Sequence, residues 1–127
     1  MAIKRIIETP LAPAPIGPYS QAVLVGDTLY VSGQIALNPS SGSMEQKNIE
    51  METEMVMQHL GNILKAAGMD YRHVVKCSIF LKNFDDFGVV NAIYGRFFSE
   101  SPPARETVEV SRLPKDARVE ISCIACR

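Results

Sequence analysis

Arg105 and Glu120 are the side chains that most need explaining. They fall within residues 102–122, "PPARETVEVSRLPKDARVEIS", which reads as two short strands joined by a tight polar turn at "LPKD". An arginine opens the first strand and a glutamate sits inside the second, which is more charge than a hairpin needs. Taken alone, the two residues form a cross-strand ion pair, a contact worth little at a surface. Two other sets of residues invite chemistry. Cys123 and Cys126 have CxxC spacing, but on a strand residues three apart point to opposite faces and lie roughly 10 Å apart, beyond disulfide reach. His59 and His73 have no ligand-type neighbours in sequence and read as packing or surface histidines. No metal site is expected.

The chain as a whole limits what these residues can serve. Its 127 residues, 46% of them hydrophobic, suit one domain over 1–127 with one core. Thirteen basic against 14 acidic side chains give a formal net charge of -1, which argues against a dedicated phosphate-binding surface, so nucleic acid is not an expected partner. An odd count of three cysteines favours reduced thiols. No apolar run approaches membrane-spanning length and no signal peptide is visible at the start. A soluble, cytoplasmic protein without membrane contact is expected.

The elements that must position Arg105 and Glu120 follow from periodicity. Residues 3–7 suit an edge strand. Pro10, Pro13, Pro15 and Pro18 then exclude helix and central strand. "AVLVGDTLYVSG" predicts a hairpin turning at Gly26-Asp27. Between Asn48 and Ala67, Ile49, Val56, Leu60, Ile63, Leu64 and Ala67 recur at helical spacing, with Gly68 as a stop. "VVKCSIFLK" predicts a strand with Val75, Cys77, Ile79 and Leu81 on one face. A second helix starts near 83–86, with Phe87, Val90, Tyr94, Phe97 and Phe98 as its core stripe. On the last two strands, Val108, Val110, Val119 and Ile121 suit a helix-covered face, while Arg105, Thr107, Glu109, Glu120 and Ser122 fall on the other. The order predicts an α+β layer with two helices on one face of a mixed sheet. The other face is either solvated or closed by another subunit.

"GPYSQAV", "VSGQI", "VNAIYGRFF" and "PPARETVEVSRLP…VEIS" occur together and in the order found in the Rid (YjgF) family, which this chain resembles from Pro15 to Ala125. The Arg105 and Glu120 pair is similar to the RidA branch. The resemblance implies a chorismate-mutase-like fold and a homotrimer with an inner barrel of sheets. It places three active sites in clefts between subunits, and it implies no cofactor. The implied reaction is hydrolysis of 2-enamine or 2-imine acids, such as 2-iminobutanoate and 2-iminopropanoate, to 2-keto acids and ammonia. Pyridoxal-phosphate-dependent dehydratases would supply these substrates without a stable complex.

In that chemistry a guanidinium holds the substrate carboxylate through two parallel hydrogen bonds, which assigns Arg105 as clamp. Glu120 would orient or deprotonate the attacking water and pass the proton to nitrogen. By similarity, Tyr19 and Ser32 line the cleft, the Gly33 N–H assists Arg105, and Asn91 builds the neighbouring wall. The backbone carbonyl of Thr107 holds the water; the family often has cysteine at this position, and any residue offers the carbonyl. Two rival functions use other properties. One is a trimer that binds a keto or amino acid with little turnover. The other is RNA cleavage or translation inhibition through Arg112, Lys115 and Arg118, a cluster that lacks interleaved aromatic residues.

Overall fold

The structure, a computed structural model, describes residues 3–127. In chain order the elements are β1 (Lys4–Ile7), β2 (Ala22–Val25), β3 (Thr28–Gln34), α1 (Ile49–Ala66), β4 (Val74–Leu81), α2 (Phe87–Phe97), β5 (Ala104–Glu109) and β6 (Val119–Cys126). The six strands form one mixed sheet in the order β1-β2-β3-β6-β4-β5. β1 is an edge strand, as residues 3–7 suggested. The β2–β3 hairpin turns where predicted: Val25 pairs with Thr28, and Gly26 takes a left-handed φ of 59° that a larger residue resists.

Both helices cover one face. The Asn48 side chain caps α1 by accepting from Met51 N, and the helix stops before Gly68 at φ 74°. Val56, Leu60, Ile63 and Leu64 of its predicted stripe are buried, beside Leu29, Val31, Ile79, Leu81, Val119 and Ile121 from the sheet. Glu52 is also fully buried on α1. Its carboxylate accepts from Arg118 Nε at 2.7 Å and from Arg118 N at 2.8 Å, tying the helix to the start of β6. In α2, Val90 and Tyr94 are buried as predicted, and Ile93 joins them.

Three local expectations change. The last two strands are not a hairpin: β4 lies between them, antiparallel to β6 and parallel to β5. A parallel pair needs a crossover, and α2 supplies it. A bulge between Val74 and Lys76 turns Val74 into the core and leaves Val75 exposed, so the predicted inward face of β4 starts one residue early. The third change concerns β5. Its register pairs Cys77 with Arg105 and Ile79 with Thr107, and both partners on β4 are buried under the helices. Arg105, Thr107 and Glu109 therefore stand on the helix side, and Val108 is exposed on the other face, the reverse of the predicted phase.

Candidate active site

The reversed phase of β5 separates the two residues that raised the question. Phe80 of β4 pairs with Glu120 and, on its other side, with Val108. Cys77 and Phe80 are three residues apart and point to opposite faces, so Arg105 and Glu120 also lie on opposite faces of the sheet. Two strand spacings and three residues separate their backbones, roughly 14 Å. The ion-pair reading is excluded for this chain, and neither side chain has an ion-pair partner among the described residues.

On the helix side, α2 presents Phe87, Asn91 and Tyr94 on successive turns toward β5. The guanidinium of Arg105 lies 5.0 Å from the Tyr94 ring centre and 5.7 Å from that of Phe87, and Nη1 donates to Asn91 Oδ1 at 2.8 Å. Phe84 stacks on Phe87 at 5.2 Å and stiffens the far side. This aromatic platform holds the charge without neutralising it. The remaining guanidinium N–H groups have no hydrogen-bond partner among the described residues, which leaves the fork available to an anion. Thr107, two residues on, has a buried hydroxyl without a hydrogen bond.

On the open side, Ser32, Gly33 and Glu120 come together around an irregularity in β3. Val31 pairs with Cys123 and Gln34 with Ile121, so Ser32 and Gly33 both oppose Ser122 in a bulge, a device common beside functional sites. Ser32 Oγ donates to Ser20 O at 2.6 Å, joining the bulge to the proline-rich segment that carries Tyr19. Glu120 packs on Gly33 so closely that a Cβ there would lie 2.8 Å from its Cδ, so any side chain at this position would displace the carboxylate. Burial pushes the Glu120 carboxyl above its ordinary pKa, with no hydrogen bond to lower it. A carboxyl raised in this way holds a proton more readily than an ordinary carboxylate, which suits it to proton transfer. Tyr19 is half exposed, and its hydroxyl accepts from Ile16 N at 3.3 Å, leaving its own proton free to donate.

The site residues named from the sequence thus fall into two groups, Arg105, Thr107 and Asn91 against Ser32, Gly33 and Glu120, with Tyr19 next to the Ser20 that Ser32 holds. Sequence reading took Phe87 and Tyr94 only as core. Their placement with Asn91 at positions i, i+4 and i+7 of one helix was the available signal. The basic cluster is largely committed elsewhere: Arg118 to Glu52, and Arg112 to Asp116 at 3.3 Å. Cys123 is buried and Cys126 exposed, on opposite faces of β6 as the strand geometry predicted for this pair, and all three cysteines are free. His59 is buried against Leu37 O, and His73 closes a capping box with Asp70. No helix among the described residues is long and apolar enough to cross a membrane.

This sheet, its two covering helices and the residues around its bulge and edge define a family. A sequence profile described as Endoribonuclease L-PSP matches residues 9–127, and the chain belongs to this family, the Rid (YjgF) family. It is similar to the mouse 2-iminobutanoate/2-iminopropanoate deaminase, 49% identical over 97% of this chain and 91% of that one. Among solved structures it is similar to YyfA of the Rid family from Yersinia pestis, at TM-score 0.93 and 44% identity, covering 98% and 100% of the two chains. Escherichia coli TdcF with bound serine superposes at TM-score 0.93 with 36% identity, covering 97% and 98%.

Proposed function

We propose that this protein hydrolyses 2-imino acids, and their enamine tautomers, to 2-keto acids and ammonia. The observation that carries the reading is a guanidinium on an aromatic platform with no carboxylate partner, in a family whose mouse relative bears the corresponding name. Arg105 takes the substrate carboxylate through its free fork. Water attacks the C=N carbon while Glu120 takes one of its protons and passes it to the imine nitrogen, giving the neutral carbinolamine. Glu120 then takes the proton of the new hydroxyl and delivers it to the same nitrogen, the C–N bond breaks, and ammonia leaves as the C=O forms. The Gly33 N–H and Tyr19 hydroxyl donate to the bound acid, and the Thr107 carbonyl orients the water.

Because Arg105 and Glu120 stand on opposite faces, one site takes Arg105, Thr107 and Asn91 from one copy and Glu120, Gly33, Ser32 and Tyr19 from another. The open sheet face supports such assembly. Exposed or half-exposed Ile6, Tyr30, Phe80, Val108 and Ile124 lie there without a covering helix. A homotrimer that closes its sheets into an inner barrel satisfies both requirements. The single domain of 1–127 is then one third of the functional unit.

The test mixes the purified protein with a threonine dehydratase, threonine and semicarbazide, and follows trapped imine against keto-acid release. Accelerated keto-acid release at the expense of the trapped product supports the proposal. Keto-acid binding without acceleration means a ligand-binding trimer. RNA cleavage that persists in Arg105→Ala overturns the reading, although in the basic cluster Arg112 and Arg118 are ion-paired and Lys115 has no such partner among the described residues.

A further inference from the structure

Tyr19 stands at the end of a segment that cannot support itself. Pro10, Pro13, Pro15 and Pro18 remove four backbone donors, and residues 9–18 lie between β1 and β2 in no strand, so their carbonyls need partners outside a ladder. Asn62 Nδ2 donates to Leu11 O at 3.0 Å, and a single buried side chain, Gln21, supplies most of the rest. Gln21 is only 3% exposed, and its Oε1 accepts from Thr9 N at 2.7 Å. Its Nε2 donates toward three carbonyls, those of Thr9 at 3.1 Å, Ala12 at 3.2 Å and Pro13 at 2.9 Å. Two amide hydrogens serve three acceptors, so one of them is shared. The backbone carbonyl of Gln21 accepts from Ser32 N at 2.9 Å, in the bulge beside Gly33.

Gln21 therefore closes a loop. Residues 14–20 leave the Gln21 amide at Pro13 and return to the Gln21 backbone, with Tyr19 near the end of the excursion. Within it, Tyr19 makes only local bonds, donating from its N–H to Gly17 O at 2.9 Å and accepting from Ile16 N. The course of the segment that carries Tyr19 is thus set at its two ends, by the Gln21 amide at Pro13 and by the Ser20 carbonyl that Ser32 Oγ holds beside the bulge.

We infer that Gln21 is a positioning residue, which fixes the Tyr19 hydroxyl relative to Gly33 and Glu120 by closing the proline-rich loop. The inference rests on the deaminase reading of the site above. Its signature is that Gln21 acts through Tyr19. Gln21→Met keeps most of the volume but strands one N–H and three carbonyls. It should lower kcat/KM about tenfold, and less than about twofold when Tyr19 is already alanine. Gln21→Glu keeps the shape and the bond from Thr9 N but donates only when protonated. Its activity relative to wild type should therefore recover as pH is lowered, which a generally weakened fold would not show. If Gln21→Met fails to fold, the Gln21→Glu pH profile decides alone.

Equal losses with and without Tyr19, no loss with Tyr19 present, or a flat pH ratio for Gln21→Glu would overturn the inference. Wild-type activity in Tyr19→Ala would remove the tyrosine from the site and the inference with it. An inactive wild-type protein that still binds keto acid would mark failure of the deaminase reading. The same double-mutant comparison, run on keto-acid affinity, would then test Gln21 separately.

Discussion

Adding one methyl group at Gly33 should disable Glu120 while leaving the fold nearly as stable as before. A Cβ at this position would lie 2.8 Å from Glu120 Cδ and 3.0 Å from Cγ, where ordinary contacts are 3.4–4 Å. The carboxylate must therefore retreat by about 1 Å. A misplacement of that size costs about 10² in rate, or about 2.7 kcal/mol of transition-state stabilisation. The stability effect is much smaller. Gly33 does not have a positive φ, so alanine fits its backbone and removes unfolded-state freedom worth about 0.4–1 kcal/mol. Forcing Glu120 off its rotamer costs about 0.5–1.5 kcal/mol, so the two nearly cancel. Turnover of 2-iminobutanoate in the dehydratase-coupled assay and thermal unfolding measure the two quantities side by side. With Glu120→Ala in the background the clash disappears, and Gly33→Ala should cost less than about threefold. Wild-type turnover in Gly33→Ala would refute the placement of Glu120 in the site. An undiminished hundredfold loss in the Glu120→Ala background would transfer the effect to the Gly33 N–H.

Arg105→Lys keeps the charge but loses the planar fork and its seat on Tyr94 and Phe87. Calorimetry should show weaker keto-acid binding, with Arg105→Ala weaker still; normal binding by Arg105→Ala would end its role as clamp. Thr107→Val removes a buried hydroxyl that has no partner among the described residues, so stability should hold or rise by about 1 kcal/mol and turnover should persist if only the carbonyl acts. A loss as large as that of Arg105→Ala would show that the hydroxyl takes part. Burial lowers the His59 pKa from 6.5, outweighing the bond to Leu37 O. Below pH 6.5 the unfolded chain therefore takes up a proton that the folded chain resists, and stability falls as pH drops until the lowered pKa is reached. The raised carboxyl of Glu120 acts in the opposite sense, so His59→Gln, compared with wild type in thermal melts from pH 7.5 to 5.5, isolates the histidine. An unchanged slope would show that His59 is not its source.

The amino-acid sequence by itself determined the local elements. α1 follows from a helical stripe and a glycine stop. The β2–β3 hairpin follows from two β-rich runs around Gly26-Asp27. Both are governed by interactions within a few residues, which sequence order records. The motifs around Tyr19, Ser32, Arg105 and Glu120 also announced the family. The tertiary structure decided how these pieces share space. β5 reads "ARETVE", in which charged, polar and apolar residues alternate so weakly that either face could turn inward. Its phase was fixed by pairing with β4 and by the platform of Phe87, Asn91 and Tyr94, contacts between segments distant along the chain. That pairing inserted β4 between the supposed hairpin strands and sent Arg105 and Glu120 to opposite faces. The bulge at Ser32-Gly33 and the closure of the proline-rich loop by Gln21 have the same origin. Each satisfies backbone groups whose partners exist only once the sheet has formed.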